Sequence, residues 1–202
     1  MIDPKTLEIV YDVDDVLWSY VGALSRAGGV TLEMWEDYYA PNNPWPEETI
    51  SLVNQALADE EVYRDIEFFP GVADILRPEK ELGVKVRINS NCITQKVANL
   101  KRVQLKAAIP DLQDDAMTFN FNTINVVCDK KLSPNTFIFV DDNPYHIIKS
   151  SAPINIVPKW PWNTSERACR MLAQANYTQL DDLTKINQFI FDRIKQYLEI
   201  GG

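Results

Sequence analysis

Carboxylates occur in this sequence at positions from which they could act on a phosphate ester. Asp12 and Asp14 directly follow the apolar run 7–11, and Asp141 and Asp142 follow a second apolar run. One carboxylate can act as a nucleophile, and another two residues further on can serve first as an acid and then as a base. Carboxylates crowded together raise one another's pKa, and a hard cation such as Mg²⁺, which prefers oxygen ligands, would relieve that conflict.

Two further features could bind the phosphate group. Ser90 follows the apolar run 84–88, so its hydroxyl and nearby backbone N–H groups could bind the non-bridging oxygens. Asn91, beside it, is a second candidate for substrate binding. Lys130 and Lys131 precede the second acidic pair, and an ammonium group there would offset the charge that nucleophile and phosphate bring together. Each feature is common by itself, and their order along the chain carries the information.

The elements that would position these residues are short strands alternating with helices. The predicted strands are 7–11, 84–88, 123–127, Thr136–Val140 and 154–157. The predicted helices of the core are 72–82, which lies before the second strand and is kinked or shortened at Pro78, and then 93–108, 165–175 and 181–200. This alternation predicts an α/β fold, Rossmann-like, with a mostly parallel sheet and helices on both faces. Such sheets bind ligands beyond the carboxyl ends of their strands.

Residues 18–65 interrupt that alternation with helical periodicity, and we predict that they form a small helical cap inserted into a core domain of residues 1–17 and 66–202. A cap of this kind excludes water and selects the leaving group. Its aromatic residues include Trp18, Trp35, Tyr38, Tyr39 and Trp45. Aromatic residues at helical spacing mostly pack helices together, but one of them could stack on a nucleobase. Trp18, four residues after Asp14, is the preferred candidate.

The composition excludes several other classes of function. The 202 residues include 20 basic and 29 acidic side chains, and the net charge of −9 disfavours general nucleic-acid binding. His146 is the only histidine, so no multi-histidine metal site can form, and it is expected to cap a helix or face solvent. Cys92, Cys128 and Cys169 lack C-x-x-C spacing and are expected to be reduced, mostly buried thiols. No signal sequence or membrane-length apolar run is visible, so a soluble cytoplasmic protein without membrane association is expected.

Taken in order, these features resemble the four signatures of the haloacid dehalogenase (HAD) superfamily. The matching positions are Asp12-Val-Asp14, Ser90, Lys131 or Lys130, and Asp141-Asp142. The resemblance implies a HAD fold with a C1-type cap, in which Asp12 forms an aspartyl phosphate and Asp14 acts as acid and then base. It also implies Mg²⁺ as cofactor, held by Asp12, the Asp14 backbone carbonyl and Asp141, with Asp142 as a further ligand. Lys131, ten residues before Asp141, has the spacing expected from nucleotidases of the superfamily, while Lys130 remains open.

Within the superfamily, the small cap, the double aspartate and the Asp-x-Asp-x-Val-Leu pattern look most like the 5′(3′)-deoxyribonucleotidase-like group. The implied substrate is a nucleoside monophosphate. Another small phosphorylated metabolite, or the 3′-phosphate end of a nucleic acid, is the alternative substrate, and a non-catalytic binding protein of the same fold is the alternative function. Asp15 departs from the glycine that many members carry at this position. A dehalogenase is disfavoured because dehalogenases typically lack the second aspartate, which is Asp14 here.

Overall fold

A computed structural model of the chain describes residues 6–59, 61–64, 66–121 and 130–201. Its six strands are β1 (Glu8–Tyr11), β2 (Lys85–Cys92), β3 (Met117–Phe121), β4 (Thr136–Val140), β5 (Ile154–Pro158) and β6 (Tyr177–Leu180). They form one sheet in the order β3-β2-β1-β4-β5-β6, and every pair of neighbours is parallel. The predicted α/β class with a parallel sheet is therefore confirmed.

The central strands are apolar on both faces because helices cover both sides of the sheet. In β1, Ile9 and Tyr11 pack into the larger core cluster, whereas Val10 between them belongs to a smaller cluster on the opposite face. Val10 is paired in register with Phe139 of β4, which lies in the same smaller cluster. Successive side chains of a strand point to opposite faces, and Ile9, Val10 and Tyr11 are all buried because both faces are covered.

Around the sheet, the described part of the chain forms nine α-helices and several short 3₁₀ turns. The helices are α1 (Tyr20–Gly28), α2 (Glu47–Ala58), α3 (Glu61–Arg64), α4 (Arg77–Leu82), α5 (Gln95–Ala108), α6 (Pro144–Ile147), α7 (Pro161–Thr164), α8 (Glu166–Leu172) and α9 (Leu183–Gly201). The predicted helix 72–82 is divided as expected, into a 3₁₀ turn Val72–Leu76 and then α4, which has Pro78 in its first turn. None of the described helices is both long and apolar enough to cross a membrane.

Three strands of the structure differ from the sequence prediction. β2 was expected to end before Ser90, but it continues to Cys92, because its polar residues pair with β3. β3 and β6 were not predicted as strands; β6 is short and polar, and all four of its residues are only partly buried. The predicted strand 123–127 lies outside the described residues. β3 and β6 are the two edge strands of the sheet. Edge strands do not need two apolar faces, so their polar residues give no clear strand signal in the sequence.

The segment predicted as a cap contains α1, α2 and α3 and joins the sheet through two adjacent connections. The outgoing connection is a tight turn in which the Leu17 N–H donates to the Val13 carbonyl at 2.9 Å. The returning connection pairs with it: the Ser19 N–H donates to the Glu67 carbonyl, and the Phe69 N–H donates to the Leu17 carbonyl, both at 2.9 Å. These pairings fix the helical segment over the carboxyl ends of β1 and β2. The division into core and cap domains at 18–65 stays a prediction.

Candidate active site

The two acidic pairs predicted from the sequence meet at the carboxyl ends of neighbouring strands. The Asp12 N–H donates to the Val140 carbonyl at 2.8 Å, which places Asp12 beside Asp141. Both side chains are buried, with Asp12 4% exposed and Asp141 fully covered. Parallel neighbours end at the same edge of a sheet, so β1 and β4 deliver their carboxylates to one place.

Lys130 joins the two carboxylates directly. Its Nζ lies 2.7 Å from Asp12 Oδ1 and 2.6 Å from Asp141 Oδ2, and its side chain is 1% exposed. Lys131 is exposed, and only its backbone carbonyl is held, by the Asn89 side-chain amide at 3.3 Å. The preference for Lys131 over Lys130 is therefore wrong, because the side chain at the carboxylates is that of Lys130. Only one of two consecutive side chains can face the site, and spacing alone does not decide which.

A second buried lysine, Lys101 of α5, lies beside Asp14 and was not found by sequence reasoning. Its Nζ is 2.5 Å from Asp14 Oδ2 and 3.0 Å from Ser90 Oγ. The sequence did contain a signal, because the residues four before and four after Lys101 are the apolar Val97 and Leu105. Both are fully buried in the structure. Residues four apart share one face of a helix, so Lys101 lies in the apolar stripe of α5, where a lysine needs a buried partner.

His146 is also part of this cluster, so the expected capping or surface role is wrong. The residue is 8% exposed, with Nδ1 3.0 Å from Asp141 Oδ2 and Nε2 3.4 Å from Asn91 Nδ2. The cap of α6 is instead Asn143, whose side chain accepts from the Tyr145 N–H at 3.0 Å. Because α6 begins right after β4, one helical turn brings His146 back over the carboxylate of Asp141.

Asp142 points away from Asp141, as consecutive residues at a strand end do. Its Oδ2 accepts from Trp162 Nε1 at 2.9 Å, and burial raises its pKa well above the usual range. The described residues that can share one metal ion are Asp12, Asp141 and His146, whose ligand atoms lie within 4.8 Å of one another. Direct ligation by Asp142 is therefore not supported by this geometry.

Asp15 occupies the position after the second aspartate, where many members of the superfamily that the sequence resembles carry glycine. Its φ of 54° is left-handed, a conformation that glycine adopts freely and that aspartate tolerates better than most residues. Its carboxylate oxygens lie 2.9 and 3.1 Å from the Val21 N–H in the first turn of α1, which has no other side-chain cap. Asp15 therefore replaces glycine and also satisfies a free donor at the start of α1.

The charges of the cluster are unbalanced. Burial raises the pKa of Asp12 to about 6; Lys130 opposes this effect, and Asp141 and Asp14 add to it. For Asp141, burial is outweighed by His146 and Lys130, which lower its pKa to about 2. Two lysines thus face several buried carboxylates, and among the described residues only Lys130 contacts Asp12 Oδ1. The excess of oxygen donors and negative charge fits a hard divalent cation such as Mg²⁺.

A cavity of about 430 Å³ opens above Asp12 and Asp14, beneath the helices of the inserted segment. Six aromatic side chains line it: Tyr20, Trp35, Tyr38, Tyr39, Tyr63 and Tyr145. Its other polar side chains include Asn42, Asn54, Asn91 and Asn143, and no lysine or arginine lines it in the described ranges. The cavity therefore offers a reactive acidic floor and a largely aromatic, uncharged wall.

Of the two predicted substrate-binding residues, the structure places one in this cavity. Asn91 lines it, next to Cys92, a buried residue whose thiol pKa is raised to about 11 by burial. Trp18 does not line it: the side chain is fully buried, packs on Phe68 with ring centroids 5.4 Å apart, and donates from Nε1 to Asp14 Oδ1 at 2.7 Å. The stacking role expected for Trp18 is thus wrong, because its ring belongs to the core.

Comparison with known proteins gives a likeness of fold. No family model and no curated protein matches the chain. Among solved structures, the chain is similar to a hydrolase from Pseudomonas syringae, with 14% identity, a TM-score of 0.51, and coverage of 91% of this chain and 97% of that one. It is also similar to a protein described as a predicted phosphatase from Clostridium acetobutylicum (13% identity, TM-score 0.55, coverage 92% and 98%). A third similar structure is described as a dehalogenase with an intermediate complex (14% identity, TM-score 0.52, coverage 92% of this chain and 97% of that one).

Proposed function

We propose that this chain is a phosphatase of the HAD superfamily that hydrolyses a small phosphomonoester through an aspartyl phosphate on Asp12. The observation that carries the proposal is the position of Asp12: it lies on the cavity floor, while Lys130 ties it to Asp141. The order of the sequence signatures supports the same assignment, and so does the likeness of fold to a hydrolase and to a protein described as a predicted phosphatase.

In the first step, a carboxylate oxygen of Asp12 attacks phosphorus, and the bond from phosphorus to the leaving oxygen breaks. Asp14, two residues on and also on the cavity floor, gives a proton to that leaving oxygen. In the second step, Asp14 takes a proton from water, the water oxygen attacks phosphorus, and the Asp12 carboxylate is released. Lys130 offsets the charge on Asp12 throughout, and the hydroxyl of Ser90, which is fully buried next to the cavity residue Asn91, would donate to a phosphoryl oxygen.

The metal implied by this family fits the donor set. Asp12, Asp141 and the Asp14 backbone carbonyl would hold Mg²⁺, with His146 within reach of the same position. When bound, the ion neutralises charge on the phosphoryl oxygens and brings them close to the nucleophile. Lys130 Nζ lies between the same two carboxylates, so the ion and the ammonium group would share their oxygens.

The cavity favours a neutral, flat leaving group. Its volume of about 430 Å³ suits a nucleoside, and aromatic walls can cover a base face. The absence of lysine and arginine from the described lining disfavours a second phosphate far from Asp12. A 5′-nucleoside monophosphate meets these requirements, whereas the helices over the floor disfavour the end of a nucleic acid. The proposed substrate is therefore a (deoxy)nucleoside monophosphate.

The direct test is a screen of phosphate release from nucleoside monophosphates, sugar phosphates and phosphoamino acids, with Mg²⁺ and with a chelator. We expect Mg²⁺-dependent release that is highest with nucleotides and abolished in Asp12→Asn. Full activity of Asp12→Asn would contradict the assignment, and preference for a sugar phosphate would contradict the substrate but not the chemistry. Phosphate binding without turnover on the whole panel would instead support a non-catalytic protein of this fold.

A further inference from the structure

The buried ammonium group of Lys101 contacts functional atoms with all of its donors. An ammonium group has three N–H donors, and Lys101 Nζ has three acceptors within reach: Asp14 Oδ2 at 2.5 Å, Ser90 Oγ at 3.0 Å and the Asn91 carbonyl at 3.0 Å. Two of these belong to the proposed acid–base residue and phosphate-binding hydroxyl, and the third belongs to a residue that lines the cavity. No donor is left over for a substrate.

Aromatic rings enclose the same ammonium group on its remaining sides. Lys101 Nζ lies 5.9 Å from the ring centroid of Trp18, 5.9 Å from that of Tyr20 and 5.7 Å from that of Tyr63. Ring faces attract a cation at this range, most of all where water is excluded. The enclosure is fixed in turn, because Tyr63 donates its hydroxyl hydrogen to the Tyr20 hydroxyl at 2.9 Å. Lys101 is therefore held as a charged group in one position.

These contacts determine how the neighbouring side chains are presented. Trp18 Nε1 and Lys101 Nζ hold the two different oxygens of Asp14, so its carboxylate cannot rotate freely. Ser90 Oγ accepts from Lys101 at 3.0 Å, and its own hydrogen is directed at the Asn91 carbonyl over a long 3.5 Å contact, which a phosphoryl oxygen would have to replace. A catalytic carboxylate must be held in a narrow range of geometry, and such restraint commonly comes from residues behind it.

We infer that Lys101 is a positioning residue, which orients Asp14 for proton transfer and Ser90 for phosphate binding without touching the substrate. The inference rests on the proposed phosphatase function and adds a fifth position to its four signatures. A purely structural role is disfavoured by the surroundings: Val97 and Leu105 on the same helix face are apolar, and an apolar side chain would fill that place without the cost of burying a charge.

A double-mutant cycle tests the inference with Mg²⁺ and p-nitrophenyl phosphate. Wild type, Lys101→Met, Asp14→Asn and the double variant are compared in kcat and KM, and circular dichroism checks that each is folded. Lys106→Met is the matched control, since Lys106 is exposed on the same helix and forms an ion pair at the surface with Asp114 at 3.2 Å. If Lys101→Met does not fold, Lys101→Gln, which keeps a hydrogen-bond donor, takes its place in the cycle.

We expect Lys101→Met to lower kcat about 100-fold, with KM changed less than about threefold, and Lys106→Met to match wild type. In the double variant the Lys101 substitution should add less than about threefold to the loss caused by Asp14→Asn, because both act on one group. A kcat of Lys101→Met close to wild type, or losses that multiply in the double variant, would overturn the positioning role. An inactive wild type would instead overturn the phosphatase proposal, and the inference with it.

Discussion

Replacing Lys130 with methionine is the most informative single perturbation of this site. The substitution keeps an unbranched side chain, one atom shorter, but removes the charge that lies 2.7 Å from Asp12 and 2.6 Å from Asp141. Both carboxylates stay buried, and their repulsion is then no longer offset by the ammonium group. We expect Lys130→Met to lose most of its activity, because the nucleophile would become protonated and the attacking charge would no longer be compensated.

The size of the effect follows from the geometry. At an effective dielectric of about 20, two unit charges 2.7 Å apart attract by about 6 kcal/mol. Desolvation offsets part of this attraction, and removing one partner of a buried pair costs about 3–5 kcal/mol. If about 4 kcal/mol of that loss is felt in the transition state, the rate falls about 1,000-fold, since each 1.36 kcal/mol is worth a factor of ten.

The assay is kcat/KM for p-nitrophenyl phosphate and for a deoxynucleoside monophosphate, each at saturating Mg²⁺. Lys131→Met is the matched control, because the neighbouring lysine carries the same charge at an exposed position. We expect that variant to stay within about threefold of wild type, as surface substitutions do. Equal losses in the two variants, or wild-type activity in Lys130→Met, would refute the assignment of Lys130.

Three other outcomes are expected. The raised pKa of Asp12, about 6, means that its ionisation destabilises the metal-free protein as pH rises, so Mg²⁺ should raise Tm more at about pH 7.5 than at about pH 5; equal shifts would contradict this. In urea denaturation, Asp15→Ala should lose about 2 kcal/mol, since it gives up both the tolerated left-handed φ and the cap on Val21, while Asp15→Asn loses less than about 1 kcal/mol. Leu57→Trp should fill the cavity, so KM should rise about tenfold for a nucleotide but stay unchanged for acetyl phosphate; a parallel rise would argue against nucleoside binding there.

The sheet centre could be predicted from sequence because burial leaves a simple signal. The strand Thr136–Val140 was predicted with its observed bounds, since all five of its residues are buried and none is charged. The edge strands Met117–Phe121 and Tyr177–Leu180 gave no such signal, because they mix polar and apolar residues. Apolar runs thus predict where a sheet is covered on both faces, and much less where it ends.

The site could be predicted as far as backbone order determines it. Asp12 and Asp141 follow their strands directly, so parallel topology alone brings them together. Lys101 and His146 come from helices, and their approach depends on which face of each helix packs inward. The prediction for Trp18 is wrong for a related reason. Closeness to Asp14 in sequence does not determine whether a side chain reaches the cavity, and the Trp18 ring is buried in the core.

The central claim, that Asp12 is the nucleophile, is tested most directly by trapping the covalent intermediate. The protein is mixed with Mg²⁺ and its best substrate, quenched in acid during turnover and treated with borohydride, which reduces an acyl phosphate of aspartate to homoserine. Peptide mass spectrometry then locates the modified residue. We predict homoserine at position 12 only, and only when substrate is present. Homoserine at another aspartate, or sustained turnover with position 12 unmodified, would contradict the account.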